Sequence, residues 1–372
     1  MHKLVQFRKR PDPKKSILGA DLLFLKKAFN FALSEFQYRL RQSTLLAYPI
    51  FLTADPSGIC QLHCPLCPTG EHIDGRKAGK MDVKTFERLM EEIGDYLMWV
   101  DFTNWGEPLL NDDVYQMITF AKKKRTYTSL STNLNYLPNP DLLVSSGLDV
   151  LWLSIDGGSE GTYLKYRRGG EWGKVMENLK RLIESRQKQK KSTPYIVWRF
   201  LVFKHNIHEI QIAQELAKET GVDAIEFSGG HVFMGMMPFT DINQLIRQSS
   251  DYLVANKSEF SLFNEHNKLK HPADHCSWLW KSITVNWDGS VSPCCGVWPQ
   301  KYDFANFPEF SIKHIWNSPA YKRARQAVRE VSSGRLKAGT ESNNVCEICS
   351  AKRNYVEGLD LSRQPSVLIK EF

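Results

Sequence analysis

Residues 57–70 read SGICQLHCPLCPTG, setting Cys60, Cys64 and Cys67 three and then two residues apart. Thiols spaced this closely bind a metal or a cluster. A structural zinc takes four ligands, whereas this stretch offers three. An iron–sulfur cluster on three protein thiolates leaves one iron open, and an open iron can chelate a small molecule. The stretch directly follows YPIFLTADP, a β-rich run from Tyr48 to Pro56.

Outward from that run, short β-rich segments alternate with helical ones. MDVKTFERLMEEIGDYL is followed by WVDFTNWG, DDVYQMITFAKKK by YTSLSTN, PDLLVSSG by VLWLSID, GKVMENLKRLIESRQKQKK by IVWRFLVF, and IHEIQIAQELAKET by DAIEFSGG. Strand alternating with helix in this way predicts parallel βαβ units, hence an α/β sheet curled toward a partial (β/α)6 barrel. In such folds the chemistry sits at the C-terminal ends of the strands, where the cysteine loop falls. After Gly230 the pattern changes to the methionine-bearing HVFMGMMPF, a helical stretch from Asp241, and short strands around Asp288-Gly289 in ITVNWDGSVSPCC, a hairpin signal. The expected division is an N-terminal helix region at 1–47, the barrel at 48–240, a small α+β domain at 241–360 and a tail at 361–372. Before the barrel, Leu22, Leu25, Phe29, Leu33, Phe36 and Leu40 recur at helical spacing with Lys26, Lys27, Arg39 and Arg41 among them. This amphipathic helix either packs on the barrel or docks on a membrane surface or a lipid-like substrate.

The chain has 372 residues, 42% of them apolar, enough to bury a full core. A net charge of +8 from 49 basic and 41 acidic residues is too small an excess for a nucleic-acid-coating protein, so no nucleic acid partner is expected. Neither a signal peptide nor a membrane-spanning apolar run is present, and the chain reads as cytoplasmic, with peripheral membrane association through the N-terminal helix as the variant reading. Its eight cysteines fall in three groups, at 60–67, 276–295 and 346–349, a grouping that suits ligands better than disulfides.

The CxxxCxxC spacing after a first barrel strand resembles the radical S-adenosylmethionine (SAM) superfamily. In that family the open iron of a [4Fe–4S] cluster holds the amino and carboxylate groups of SAM, and an electron from the cluster cleaves SAM to a 5′-deoxyadenosyl radical. The resemblance implies Cys60, Cys64 and Cys67 as ligands. WGEP at 105–108 is similar to the family's Gly-Gly-Glu-Pro and implies SAM contacts from Trp105, Gly106 and Glu107. Ser131 and Asn133 in STN, and Ser154 and Asp156 in SIDG, close the next two strands. YRRGGEWGKVMENL at 166–179 resembles the family's Arg-Gly-Gly-x-Phe-x-x-Val-x-Glu-Asn and implies Arg168 on the SAM carboxylate, with Arg167 beside it. Two positions depart from the pattern. Leu66 stands where an aromatic residue is common, and Trp105 replaces the first glycine.

Cys276, twelve residues, Gly289, four residues and Cys294, followed by Cys346-x-x-Cys349, resemble the C-terminal SPASM/twitch domains in their shortened twitch form. That resemblance implies a second, auxiliary [4Fe–4S] cluster on Cys276, Cys294, Cys346 and Cys349, with Cys295 as the alternative to Cys294. A zinc ribbon is the competing reading of two cysteine pairs around a hairpin. Arg199 and Glu226 would face the barrel interior by strand alternation, either as substrate-cavity groups, one of them a general base, or as a strand-end ion pair.

The expected enzyme is a radical SAM oxidoreductase taking hydrogen from an unactivated carbon of a small-molecule substrate. The first choice is oxidation of a secondary alcohol of a sugar or cyclitol, the auxiliary cluster accepting the second electron. Ribosomal-peptide or lipid modification is the enzymatic alternative, and a zinc-stabilised binding module the non-catalytic one. The resemblance also implies an external electron donor such as flavodoxin or ferredoxin.

Overall fold

This computed structural model describes residues 2–17, 21–230, 251–254, 258–260, 276–332 and 344–347. Cys349, the methionine loop at 231–239, the start of the helical stretch at Asp241 and the tail at 361–372 lie outside the described residues. The chain opens with strand β1 (His2–Gln6) and helices α1 (Lys14–Ile17) and α2 (Leu22–Arg39). The alternating part follows as β2 (Phe51–Ala54), α3 (Val83–Ile93), β3 (Trp99–Phe102), α4 (Val114–Lys123), β4 (Tyr127–Thr132) and α5 (Pro140–Ser145). It continues through β5 (Val150–Ser154), α6 (Glu160–Tyr166), α7 (Trp172–Lys188), β6 (Tyr195–Val202), α8 (Ile210–Thr220) and β7 (Ala224–Gly229). Beyond it come α9 (Trp278–Lys281), β8 (Ser282–Val285), β9 (Ser290–Ser292), β10 (Ala305–Asn306), α10 (Ile312–Trp316) and α11 (Pro319–Ser332).

Strands β2 to β7 pair in sequence order and in parallel, as the alternation predicts. Among the described residues, hydrogen bonds do not close the sheet: β1 lies antiparallel on the outer edge of β7, and β8 pairs in parallel with β2, carrying the same sheet into the C-terminal β8–β9–β10 hairpins. Gly289, in the left-handed region at φ +81°, makes the β8–β9 turn.

Period-two alternation sorts each strand's side chains to two sides. Leu52, Val100, Leu130, Leu151, Trp198 and Ile225 join the helices in the main core. On α3 the inward face is Phe86, Leu89, Met90 and Ile93, the spacing of a helix stripe; each such side chain contributes about 1.5–3 kcal/mol by burial. On the other side of the sheet, near the strand N-termini, Phe51, Trp99, Tyr127, Val150, Tyr195 and Ala224 form one cluster with Ile17 and Ile50. That cluster draws on every parallel strand from β2 to β7 and forms the apolar floor of the partial barrel.

Helix α2 packs beneath this floor; its Phe31 lies against the floor, while Leu22, Leu25, Phe29 and Phe36 face solvent. Its buried residues are Lys27, Asn30, Ser34 and Gln37. Lys27 donates through Nζ to the Gly94 and Leu97 carbonyls. Asn30 exchanges two hydrogen bonds with the Tyr48 backbone, 3.0 and 2.8 Å long. Ser34 donates to Trp280 O, and the Gln37 carbonyl accepts from Leu46 N and Ala47 N. The loops leading into β2, β3 and β8 present unpaired backbone groups here, and a buried backbone group without a partner is costly. A polar helix face answers that need; an apolar one would not.

Replacing Asn30 by Ala should therefore cost about 1–3 kcal/mol, since Tyr48 loses partners for both its N–H and its C=O. Replacing the solvent-facing Leu25 by Ser should change stability by less than about 0.5 kcal/mol. Urea unfolding of both variants, followed by tryptophan fluorescence, checks the contrast.

Candidate active site

The cysteine loop sits at the C-terminal end of β2 and is fixed from neighbouring strand ends. Gly58 N donates to Gly79 O, and Glu107 N donates to Ile59 O at 2.8 Å. His63 N donates to Arg168 O, also at 2.8 Å. Gly106 passes so close beneath the loop that a Cβ there would stand 1.8 Å from Ser57 O, which only glycine permits. Cys60, Cys64 and Cys67 lie in an apolar pocket with Leu62, Leu66, Trp105, Tyr166, Phe203 and Trp298. Leu66 thus supplies aliphatic packing where the sequence pattern lacks an aromatic ring.

Burial pushes the Cys60 and Cys64 thiols up to about 12, with the charge of Cys67 acting on both in the same direction. Thiolates are stable in such a pocket only beside a concentrated positive charge, which the irons of a cluster provide. Arg167 adds a fixed cation, its Nη1 3.8 Å from Cys64 Sγ. Among the described residues, no three His, Cys, Asp or Glu side chains converge tightly enough for a single bound ion. Three thiolates, one short of the four ligands of a structural zinc, suit an iron–sulfur cluster with one open iron.

Around the loop the strand ends collect polar groups. Ser131 Oγ of β4 and Ser154 Oγ of β5 are 3.5 Å apart. Asn133 reaches Cys60 Sγ at 3.6 Å, and its Oδ1 accepts from Gln61 Nε2. Trp105 packs edge-on against Trp298, ring centroids 5.4 Å apart. The Glu107 carboxylate is taken up by the chain itself, accepting from Thr132 Oγ1, Asn133 N and Leu109 N. Arg168 is exposed and donates to the Tyr252 hydroxyl at 2.8 Å. Its neighbour Arg167 turns inward instead, donating through Nε to the buried Asp156 at 2.6 Å. Nothing in the RRGG spacing says which arginine turns inward.

Above the apolar floor, the barrel interior carries charge. Arg199 Nε is 3.6 Å from Glu226 Oε1 across the β6–β7 pair, with its guanidinium 4.2 Å from the Trp152 ring centroid. Asp101 of β3 accepts from Ser129 Oγ at 2.7 Å, and burial pushes its carboxyl up to about 6, although Ser129 and the Arg199 charge pull the other way. Asp101 escaped the sequence reading; alternation in WVDF puts it on the same side as Trp99 and could have found it.

In the C-terminal part, Cys294 and Cys346 both act electrostatically on the Tyr321 phenol. Cys295 feels Asp101 and Cys276 instead, and burial pushes it up to about 12. Adjacent in sequence, the two thiols thus have different neighbours. The missed Arg76 joins the two parts. It donates to Trp298 O, Ser290 Oγ and Ser292 Oγ and pairs with Asp303 at 2.8 Å.

Residues 55–203 match the radical SAM superfamily, and residues 276–350 match SPASM, an iron–sulfur cluster-binding domain. The chain belongs to the radical SAM superfamily. It is an enzyme whose cofactors are SAM and iron–sulfur clusters, one at the barrel and further cluster binding in the SPASM domain. It is 25% identical over 300 residues to PqqA peptide cyclase from Gluconobacter oxydans, covering 76% of this chain and 80% of that protein. It is 23% identical over 304 residues to the tungsten-containing aldehyde ferredoxin oxidoreductase cofactor-modifying protein of Pyrococcus furiosus, covering 73% and 82%. SuiB of Streptococcus suis, solved with the precursor peptide SuiA, shares the fold at a TM-score of 0.57 and 15% identity, over 90% of this chain and 80% of that one.

A Gly106→Ala variant should push the cysteine loop off its seat, because the added carbon meets Ser57 O and Ile59 O. After anaerobic reconstitution it should lose about four of about eight irons per chain, as a Cys64→Ala variant should, with the remainder held by the C-terminal domain. Iron and sulfide analysis of both variants checks this.

Proposed function

We propose that this radical SAM enzyme oxidises a secondary alcohol of a sugar or cyclitol bound inside the barrel. The observation that carries the reading is the charged level formed by Asp101, Arg199 and Glu226 above an otherwise apolar floor. Cys60, Cys64 and Cys67 would hold the barrel cluster, which with SAM would supply radical hydrogen abstraction, and Cys276, Cys294, Cys346 and Cys349 would hold a second cluster that would supply an acceptor for the remaining electron.

The chain's own groups must do the rest. Turning a secondary alcohol into a ketone releases one hydrogen atom, one proton and one electron, so a base must stand at the hydroxyl. Asp101 is that base in this reading, since burial sets it close to neutral pH, where proton acceptors work best. Arg199 is unsuited, because a guanidinium keeps its proton. Paired with Glu226, it instead offers neighbouring donors and acceptors to the substrate's other hydroxyls. In this reading Arg167, Ser131, Asn133 and Ser154 hold SAM's polar groups, and the aromatic pocket around the cysteines keeps water away.

A second reading is modification of a ribosomal peptide. It is favoured by the similarity to PqqA peptide cyclase and by the fold shared with SuiB, which was solved with its precursor peptide.

Product analysis separates the two. The reconstituted chain, given SAM and dithionite, should form substrate-dependent 5′-deoxyadenosine with a polyol, with deuterium moving into it from the labelled carbinol carbon. Asp101→Asn should lower ketone formation by about 10²-fold or more while SAM affinity holds. The wild-type rate should fall as pH drops through about 6, because the carboxyl must be unprotonated to accept a proton. Turnover with peptides alone would move the assignment to the second reading, and undiminished ketone formation by Asp101→Asn would remove Asp101 as the base.

A further inference from the structure

Helix α2 is amphipathic in an inverted sense. The residues it buries against the barrel, Lys27, Asn30, Ser34 and Gln37, are polar. Half a turn away, Leu22, Leu25, Phe29, Phe36 and Leu40 form an unbroken exposed row with Ala32, and Leu46 stands just beyond. Leu22 is 69% exposed, Phe29 71% and Leu46 79%. Scattered exposed leucines are ordinary on a protein surface, but a contiguous row along one helix marks a binding face. Folding gives no reason for the row, because the helix is held by its other side.

The charges bordering the row indicate what covers it. Lys26 lies along one edge, where it shares Asp95 with Lys124, and Arg39 along the other, where it shares Glu35 with Lys281, so that each edge holds two cations to one carboxylate and stays net basic. Lys9 and Lys14 are exposed in the segment that runs over the same end of the barrel, where Arg10 rests on the Tyr127 ring and Ile17 enters the floor. An apolar strip with basic edges is the pattern of a helix lying in the plane of an anionic membrane surface, its long cationic side chains reaching the headgroups. A second copy of the chain would instead bring basic edge against basic edge, in a molecule already carrying a net charge of +8. Among the described residues no helix is long and apolar enough to cross a bilayer, so the helix would lie on the membrane and not span it.

We propose that the exposed face of α2 docks the enzyme on anionic phospholipid membranes. The polar contacts of α2 go to Tyr48, Gly94, Leu97 and Trp280, in the segments that lead into the strands, whereas the cysteine loop follows the opposite end of β2. The docked enzyme therefore opens its active site away from the bilayer. The membrane serves as an anchor and not as the source of substrate, whichever substrate class the barrel accepts.

Vesicle flotation tests this. The reconstituted chain should float with phosphatidylcholine vesicles containing about 30% phosphatidylglycerol, and bind pure phosphatidylcholine at least about tenfold more weakly. Phe29→Ser/Phe36→Ser should lose at least about tenfold in binding to the anionic vesicles, with melting temperature and iron content unchanged because neither ring supports the fold. Lys26→Gln/Arg39→Gln should lose about tenfold or more on anionic vesicles and little on neutral ones. The proposal is overturned if the wild-type chain does not float with the anionic vesicles, or if the Phe29→Ser/Phe36→Ser chain floats equally well. Sedimentation velocity showing a wild-type dimer that this variant converts to monomer, without vesicle binding by either, would assign the face to self-association and overturn it as well.

Discussion

One buried carboxylate, that of Glu107, organises the site end of the barrel. It accepts hydrogen bonds from Thr132, Asn133 and Leu109, tying the end of β3 to the end of β4, while its backbone N–H holds Ile59 in the cysteine loop. Burial pushes it up to about 7 even with those donors around it, and the three hydrogen bonds offset part of the cost of burying it. With Gly106 pressed against Ser57, the cysteine loop can take few positions. The loop's geometry is therefore set by β3 and β4, and the cysteines inherit their places from strands that contain no cysteine.

The same logic extends across the two cysteine groups. Arg76 follows the first group and is buried among Ser290, Ser292, Trp298 and Asp303, which surround the second. A guanidinium out of water is costly unless it is paired and hydrogen-bonded, and here each of its three nitrogens donates to a carbonyl, hydroxyl or carboxylate acceptor. The β2–β8 pairing adds a backbone connection, Asp55 N donating to Val285 O just beyond β2. A hydrogen-bonded path thus runs from the barrel loop to the C-terminal hairpin.

Much of this was legible in the sequence, because it depends on periodicity and spacing. The six parallel strands, the hairpin at Asp288-Gly289 and the cysteine loop at a strand end all follow from local pattern. What could not be read depends on contacts between distant segments. Apolar periodicity correctly marks α2 as a helix with two faces, but not which face docks, and the polar side won because it meets backbone groups of three loops. The choice between Arg167 and Arg168 is made in an irregular loop, where no period carries over. Alternation placed Arg199 and Glu226 on one side of their strands, yet their meeting depends on the β6–β7 register, which neither strand encodes alone.

The barrel's two ends impose opposite demands. At the strand C-termini, reactive groups need exclusion of water, and the ring of Leu62, Leu66, Trp105, Tyr166, Phe203 and Trp298 provides it. At the N-termini the floor of Phe51, Trp99, Tyr127 and Tyr195 already seals the barrel, so a further helix there has little apolar surface left to cover. What remains exposed at that end is mainly loop backbone, and hydrogen-bonding side chains serve it best. The sealing of the floor, against which Phe31 packs, is thus what allows α2 to keep Leu22, Leu25, Phe29 and Phe36 outward, because the fold gains little by burying them.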